Sequence, residues 1–428
     1  MRTLSVDRDL FQRWIDELAG FSEAPAPAVT RVLFSDVDLA ARAWVTRLCA
    51  DAGLAVRVDA AGNIFARWTG TDAHAPAIAT GSHIDAIPNA GRYDGVAGVL
   101  GALIAIHALR DAGVTPTRSI EIIVFTAEEP TRFGIGCLGS RLLSGALAPD
   151  RAAALVDADG RSLDDWRARA GLSAPLSEVR LPADRYAAFV ELHIEQGPLL
   201  ERDGIAIGVV EAIAGPSSYR VQLTGEGGHA GTVLMRDRHD AGLAAAEIAL
   251  AVERAALSSG SPDTVGTTGV VRQRPNAINS IPCDAVLEID FRDTRLDTRT
   301  AAWTQVESAI AGICARRGVR WTLDRLNADP PAACAPIVVD AALRASAALG
   351  LSARRTISRA YHDSLFMAQV CPAAMIFVPS KDGVSHRPDE YTSPEDLAAG
   401  AAVLAHVLAE LSGADASPGR EPRTPQSV

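Results

Sequence analysis

A histidine, two aspartates and two adjacent glutamates occupy the positions of this 428-residue chain best suited to chemistry. They lie in Gly81-Ser82-His83-Ile84-Asp85, in Tyr93-Asp94-Gly95 and at Glu128-Glu129. Each follows an apolar segment that reads as a buried strand or the turn after one, and strand ends opening into one crevice are where open α/β sheets build active sites. Imidazole nitrogen with carboxylate oxygen is a donor set for divalent metals. A spare carboxylate beside a ligand carboxylate can serve as a base toward water. The combination is that of a hydrolase using two metal ions. His193 and His386 extend it, so the candidate ligands are His83, Asp94, Glu129, His193 and His386. Asp94, flanked by glycine, suits a bridging role; His83 and His193 could complete one site, and Glu129 and His386 the other. Asp85 could accept the second ring N–H of His83, orienting that ligand. Taken singly, a histidine is commonly a core residue, Asp-Gly a turn and Glu-Glu a solvated edge; together they point to a site. His74, His107, His239 and His406 belong to no such motif and are read as structural.

The elements that must position these residues follow from pattern. Residues 7–20 and 36–53 are expected to be amphipathic helices, with Asp36 capping the second and Gly53 ending it. Pro76 to His83 reads as a strand running into a loop, Gly95 to Leu109 as a helix apolar all round, and Ser119 to Ala127 as a β-branched buried strand. That order gives a parallel βαβ unit. A further strand, Ala188 to His193, ends on histidine. Beyond residue 213 the pattern changes to strand, helix, hairpin-like strands, helix and strand, with Ser218 to Leu223 and Cys283 to Arg292 alternating and Ala241 to Ala256 helical. After residue 330 the α/β pattern returns, with Ala374 to Val378 a strand and Pro394 to Leu411 the closing helix. The expected fold class is α/β, a mostly parallel central sheet in a catalytic domain of residues 1–212 and 327–412, with an inserted α+β domain of residues 213–326. Residues 413–428, rich in Pro, Ser, Gly and charge, read as a disordered tail.

Composition narrows the function classes. The length favours two domains, and 48% apolar residues describe a soluble globular enzyme. A net charge of 41 − 52 = −11, without a basic run, argues against nucleic acid as a partner. Six scattered cysteines favour free thiols in a reducing compartment. The N-terminus lacks an apolar signal core, and no apolar run reaches the roughly 18 residues of a membrane span. A cytoplasmic location is expected.

The motifs resemble those of the di-metal amidohydrolases related to aminoacylase-type metallopeptidases, in the branch of N-carbamoyl-L-amino acid hydrolases, β-ureidopropionases and allantoate amidohydrolases. The resemblance spans nearly the whole chain. It runs through Gly81 to Asp85, Gly91-Arg92-Tyr93-Asp94-Gly95, Glu128-Glu129, Glu191-Leu192-His193-Ile194-Glu195-Gln196-Gly197-Pro198, Gly228-His229-Ala230-Gly231-Thr232 and Ser385-His386-Arg387-Pro388-Asp389-Glu390. It implies a metallopeptidase-like catalytic domain with two divalent ions per subunit and an inserted lid that also forms a homodimer. Asp94 becomes the bridging ligand, His83 and His193 serve one metal, Glu129 and His386 the other, and Glu128 is the general base. His229 would reach across the interface to the partner's site and stabilise the oxyanion. Asn279 and Arg292 would hold the substrate carboxylate, with Gln196 lining the pocket; a guanidinium can clasp a carboxylate bidentately. Without the resemblance Arg292 reads as a surface salt-bridge partner. His and carboxylate without Cys admits Mn²⁺ or Zn²⁺, and the resemblance implies Mn²⁺.

Departures from the broader branch bear on substrate. Its carbamoylases and allantoate hydrolases carry Ser-Gly-Ala-Gly-His-Asp near the second metal, whereas this chain has Ser358-Arg359-Ala360-Tyr361-His362-Asp363. Tyr361, beside His362, adds bulk and a hydroxyl where a long substrate tail would lie. The lid entry, Gly215-Pro216-Ser217-Ser218-Tyr219, lacks the usual Gln and Arg. Both changes favour a small substrate with one ureido group and one carboxylate. They look like the ureidoglycolate-cleaving members of the branch, in purine catabolism. Relatives acting on N-carbamoyl-L-amino acids or allantoate share the machinery, and a true dipeptidase is the more distant possibility. A non-catalytic binding module would have lost Glu128 or a ligand, and none is lost here.

Overall fold

The computed structural model describes residues 4–414; Met1 to Thr3 and the part of the expected tail beyond residue 414 lie outside the described residues. The chain forms two compact units. The first comprises residues up to Glu211, Cys334–Thr356 and the chain from His362; the second comprises Ala212–Ala333 and Ile357–Tyr361.

The first unit is built on a mixed sheet. Its four central strands, Ala373–Val378, Tyr186–Ile194, Ala77–His83 and Ile120–Phe125, are parallel neighbours in that order. Ile207–Ile213 and Ile64–Trp68 flank them antiparallel. Ala77–His83, Ile120–Phe125 and Ala373–Val378 are buried along their whole length, as expected of strands covered on both faces. The helix Val96–Asp111 is buried on nearly every side and packs against Pro394–Leu411, which explains why its sequence shows no polar stripe. The N-terminal helices are Arg8–Ala19 and Asp36–Asp51. Ser35, not Asp36, caps the second, because Ser35 takes the extended backbone of a cap and accepts the Asp38 N–H at 3.3 Å.

The second unit is an antiparallel sheet in the order Val265–Arg274, Asp284–Asp293, Gly215–Thr224, Arg320–Ala328, with the helices Ala241–Leu257 and Leu296–Arg317 packed on it. Residues of Asp284–Asp293 alternate between buried and half-exposed, so one sheet face is covered. Val221, Leu287, Phe291, Ile248, Trp303 and Ile310 form its core, separate from that of the first unit. The return to the first unit comes at residue 334 instead of the expected 327. The reason is that Arg320–Ala328 pairs with Gly215–Thr224 from Arg320↔Thr224 to Ala328↔Ser217. Grouping of Ile357–Tyr361 with the second unit was not expected from sequence.

Candidate metal centre

Five segments of the first unit bring their ends together. His83 closes the strand Ala77–His83, and Asp94 sits in the turn before the helix Val96–Asp111. Glu128 and Glu129 follow Ile120–Phe125, His193 lies near the end of Tyr186–Ile194, and His386 occupies the loop after Ala373–Val378. All but His386 are buried; its side chain is 47% exposed. Gly95 has φ +65°, and a Cβ there would come within 2.4 Å of His83 Nε2, so only glycine lets this turn approach the ring. Ala127, Gln196 and His386 also have positive φ, at +52°, +55° and +59°. Such strain collects at sites whose surroundings over-determine the backbone.

Asp94 presents its two oxygens to two different sets. Oδ1 lies 3.1 Å from His193 Nε2 and 3.8 Å from His83 Nε2, whereas Oδ2 lies 3.1 Å from His386 Nε2. His386 Nε2 is also 3.4 Å from Glu129 Oε1. The groups His83–Asp94–His193 and Asp94–Glu129–His386 can each gather their donor atoms within 4.8 Å of one another. Ring tautomers strengthen this assignment. His83 Nδ1 is 3.0 Å from the Asp85 carbonyl and His193 Nδ1 2.9 Å from the Ile194 carbonyl. A carbonyl only accepts, so both Nδ1 atoms carry a hydrogen, and either ring when neutral turns an Nε2 lone pair toward Asp94. His193 Nε2 is buried without a hydrogen-bond partner among the described residues, although a carboxylate oxygen lies 3.1 Å away. A neutral His193 would set its Nε2 lone pair against a carboxylate at that distance, which only a proton or a bound cation can reconcile, and the donor set fits two divalent cations.

The supporting groups are specific. Asp85 does not use its carboxylate on His83, as expected from sequence; its nearest carboxylate oxygen is 3.7 Å from Nδ1. That carboxylate instead accepts the backbone N–H of Glu128 at 3.3 Å and of Glu129 at 3.0 Å, fixing the glutamate pair, while its carbonyl serves His83. Glu128 belongs to neither donor group. Its Oε1 accepts the Cys137 thiol at 3.5 Å and its Oε2 lies 3.9 Å from His83 Nε2. Gln196 donates to Asp94 Oδ2 at 2.9 Å. Beneath His193, Glu191 accepts the hydroxyls of Ser82 at 2.7 Å and Ser364 at 2.6 Å, which makes it an anchor and not a ligand. The His362 ring packs edge-on against His193 at 4.5 Å between centroids. Sequence reasoning missed Ser82, Ser364, Ser385, Cys137 and Glu390 as site-forming residues, although Ser82, Ser385 and Glu390 lie within the ligand-bearing motifs.

Without cations, protons take up part of this charge. Burial favours a neutral His193, but the Asp94 carboxylate outweighs it and holds the ring at about 9. Asp94 raises His386 to about 9 as well, whereas burial draws His83 down to about 4. Burial, then the neighbouring Asp94, lifts Glu129 to about 8. For Asp94 itself burial acts upward, but the flanking histidines prevail and hold it well below the usual range. Ligating imidazoles must be neutral, so cation binding below about pH 9 must expel the protons of His193 and His386. Titrating cation-free protein with Mn²⁺ near neutral pH, by calorimetry in buffers of different ionisation enthalpy, should show proton release, and affinity should rise with pH toward 9. Binding without proton release would contradict the ligand set.

The remaining sequence-predicted residues lie in the second unit, in two groups. His229 is exposed, its Nδ1 accepts the Gly231 N–H at 3.1 Å, and it pairs with Ser280 in a two-stranded ladder. Asn279 adjoins that ladder, its carbonyl accepting the Ala230 N–H at 2.9 Å. Arg292 is held by Asp290 through Nε at 2.5 Å and Nη2 at 3.2 Å, with its guanidinium 5.6 Å from the Tyr361 ring centroid. Elsewhere, His107 packs on Trp14 and His239 contacts the Arg317 carbonyl at 3.0 Å, as structural histidines do.

Residues 79–410 match the model of peptidase family M20/M25/M40. The chain is 52% identical over 417 residues to the ureidoglycolate hydrolase of Arabidopsis thaliana, covering 96% of this chain and 88% of that protein. It is 38% identical over 404 residues to the N-carbamoyl-L-amino acid amidohydrolase of Geobacillus stearothermophilus, covering 94% and 98%. Crystal structures of AtUAH with (S)-hydroxyglycine and with glyoxylate each match with a TM-score of 0.87 at 52% identity, covering 96% of this chain and 99% of that one.

Proposed function

Since the chain belongs to peptidase family M20/M25/M40, we propose that it hydrolyses the ureido C–N bond of (S)-ureidoglycolate. Near-full-length identity of 52% to a ureidoglycolate hydrolase carries this reading. Tyr361 and the lid entry Gly215-Pro216-Ser217-Ser218 agree with it, since both suit a short substrate with one ureido group and one carboxylate. Two bound divalent cations, which we take to be Mn²⁺, would polarise the ureido carbonyl and acidify water. The chain's own residues do the rest. Glu128 accepts the proton of the attacking water as the new C–O bond forms, and returns it to the terminal amine as the C–N bond breaks. Ammonia leaves; the remaining N-carboxylate loses carbon dioxide to give hydroxyglycine, which eliminates a second ammonia to give glyoxylate. Gln196 orients Asp94, Arg292 and Asn279 hold the substrate carboxylate, and His229 donates to the developing oxyanion.

The reading includes a homodimer in which His229 serves the partner's site. Leu243, Leu250 and Leu257, seven residues apart on one face of Ala241–Leu257, are 42%, 54% and 82% exposed. The strand Val265–Arg274 is an edge of its sheet, with Val271 52% exposed. A two-fold pairing of helix with helix and edge with edge would cover both. Six free cysteines, five of them buried, suit a reducing compartment, for which we propose the cytoplasm.

Ammonia release from ureidoglycolate, allantoate and an N-carbamoyl-L-amino acid, each with and without Mn²⁺, tests the substrate. Ureidoglycolate should be fastest and metal-dependent; a preference for either of the others would replace this reading by that sibling activity. In the same assay Tyr361→Gly should shift the ratio of kcat/KM values toward allantoate by about 10-fold or more, the scale on which a change of pocket volume discriminates. An unchanged ratio would remove Tyr361 from the specificity argument.

A further inference from the structure

Two ligand-bearing loops from distant parts of the chain meet at Glu390. The loop Gly91 to Gly95 carries Asp94, and the loop Ser385 to Glu390 carries His386. Glu390 is buried at 4% exposure. Its Oε1 accepts the backbone N–H of Tyr93 at 2.8 Å and of Asp94 at 3.1 Å, and its Oε2 accepts the Ser385 hydroxyl at 2.7 Å. Ser385 Oγ also lies 3.2 Å from Asp94 Oδ2, so this hydroxyl stands between both carboxylates. Gly91 makes room: a Cβ there would meet Glu390 Cβ and Oε1 at 2.3 Å each. Burying one more carboxylate beside Asp94, in a site already rich in acid, is costly unless its oxygens are satisfied. Three donors satisfy this one, and all three belong to the loops that carry Asp94 and His386.

We propose that Glu390 is a positioning residue that ties the Asp94 loop to the His386 loop, holding Asp94 Oδ2 and His386 Nε2 at the separation the second cation requires, with Gly91 admitting its side chain. The proposal rests on the two-cation reading, and it concerns the Asp94–Glu129–His386 set alone.

Mn²⁺ titration of cation-free full-length protein, followed by calorimetry and electron paramagnetic resonance, tests it. Wild type should take two ions per subunit and show the exchange-coupled spectrum of a Mn²⁺ pair. Glu390→Ala should bind the first ion as before and the second about 10–100-fold more weakly, the scale of losing a group that orients a ligand, with isolated Mn²⁺ replacing the coupled pair at limiting metal. Gly91→Ala, which leaves Glu390 chemically intact but displaces it, should reproduce that pattern. Glu390→Gln keeps an acceptor for the two backbone N–H groups and can donate to Ser385, whose proton then turns to Asp94, so both ions should be retained near wild-type affinity. Asp389→Asn, an exposed neighbour paired with Arg387, should change nothing. Wild-type binding of both ions by Glu390→Ala and Gly91→Ala would overturn the proposal, as would a glutamine variant as impaired as the alanine one. Should Glu390→Ala not fold, the Gly91 and glutamine variants decide. Wild type taking a single ion would instead sink the two-cation reading, and this proposal with it.

Discussion

Glu128→Gln should keep both cations and lose about 10²–10⁴-fold in kcat, the range a positioned acid–base group supplies. The expectation follows from where Glu128 stands. It adjoins Glu129 in sequence but joins neither donor group, and its oxygens face the Cys137 thiol and His83. Its backbone is fixed by Asp85, whose carboxylate an amide substitution leaves untouched. Burial, then the charges of Glu129, Asp363 and Asp94, raise the Glu128 carboxyl well above the usual range in the cation-free site. A carboxylate whose proton affinity is lifted in this way is suited to take and return a proton; cations held by the neighbouring ligands would oppose the shift and favour the ionised form. Glutamine has nearly the same shape and cannot accept that proton. Metal content and ammonia release measured on one preparation check the result, and turnover near wild type with metal intact would remove Glu128 from the base role.

Asp94→Ala should cost both cations, not one. Its Oδ1 faces His83 and His193 and its Oδ2 faces His386, so its loss leaves each set with two donors. Affinity at both sites should fall by more than the about 10–100-fold that losing a mere supporting partner costs, with ammonia release undetectable. His386→Ala should by contrast spare the His83–His193 side. Metal analysis after dialysis separates the two variants; one full equivalent retained by Asp94→Ala would mean that Asp94 is not shared.

The strand ends carrying His83 and His193 were legible because the runs before them are mainly apolar, and Pro394–Leu411 because proline opens it and its apolar positions recur. The pairing of Arg292 with Asp290 was also within reach, since residues two apart on a strand share a face. The rest was decided by partners remote in sequence. Asp36 and Ser35 are both good caps, and only backbone geometry selects Ser35. Arg320–Ala328, the final strand expected of the inserted domain, is largely exposed, so no apolar pattern marks its end and the domain boundary was set within it. Asp85 serves a loop 43 and 44 residues away in preference to its neighbour His83. Glu390 reaches Tyr93 across 297 residues, a link no local pattern encodes.

The strand Ala373–Val378 lies between Tyr186–Ile194 and Ile207–Ile213, both made long before it. During synthesis the sheet therefore waits with an open edge while the second unit, with its own core, emerges. The late strand closes that gap and brings the His386 loop behind it. Until then the edge beside His193 is a bare ladder on which another chain could pair. A sheet that begins to form during translation would therefore depend on its last-made strand both to cover that edge and to bring His386 to the other candidate ligands.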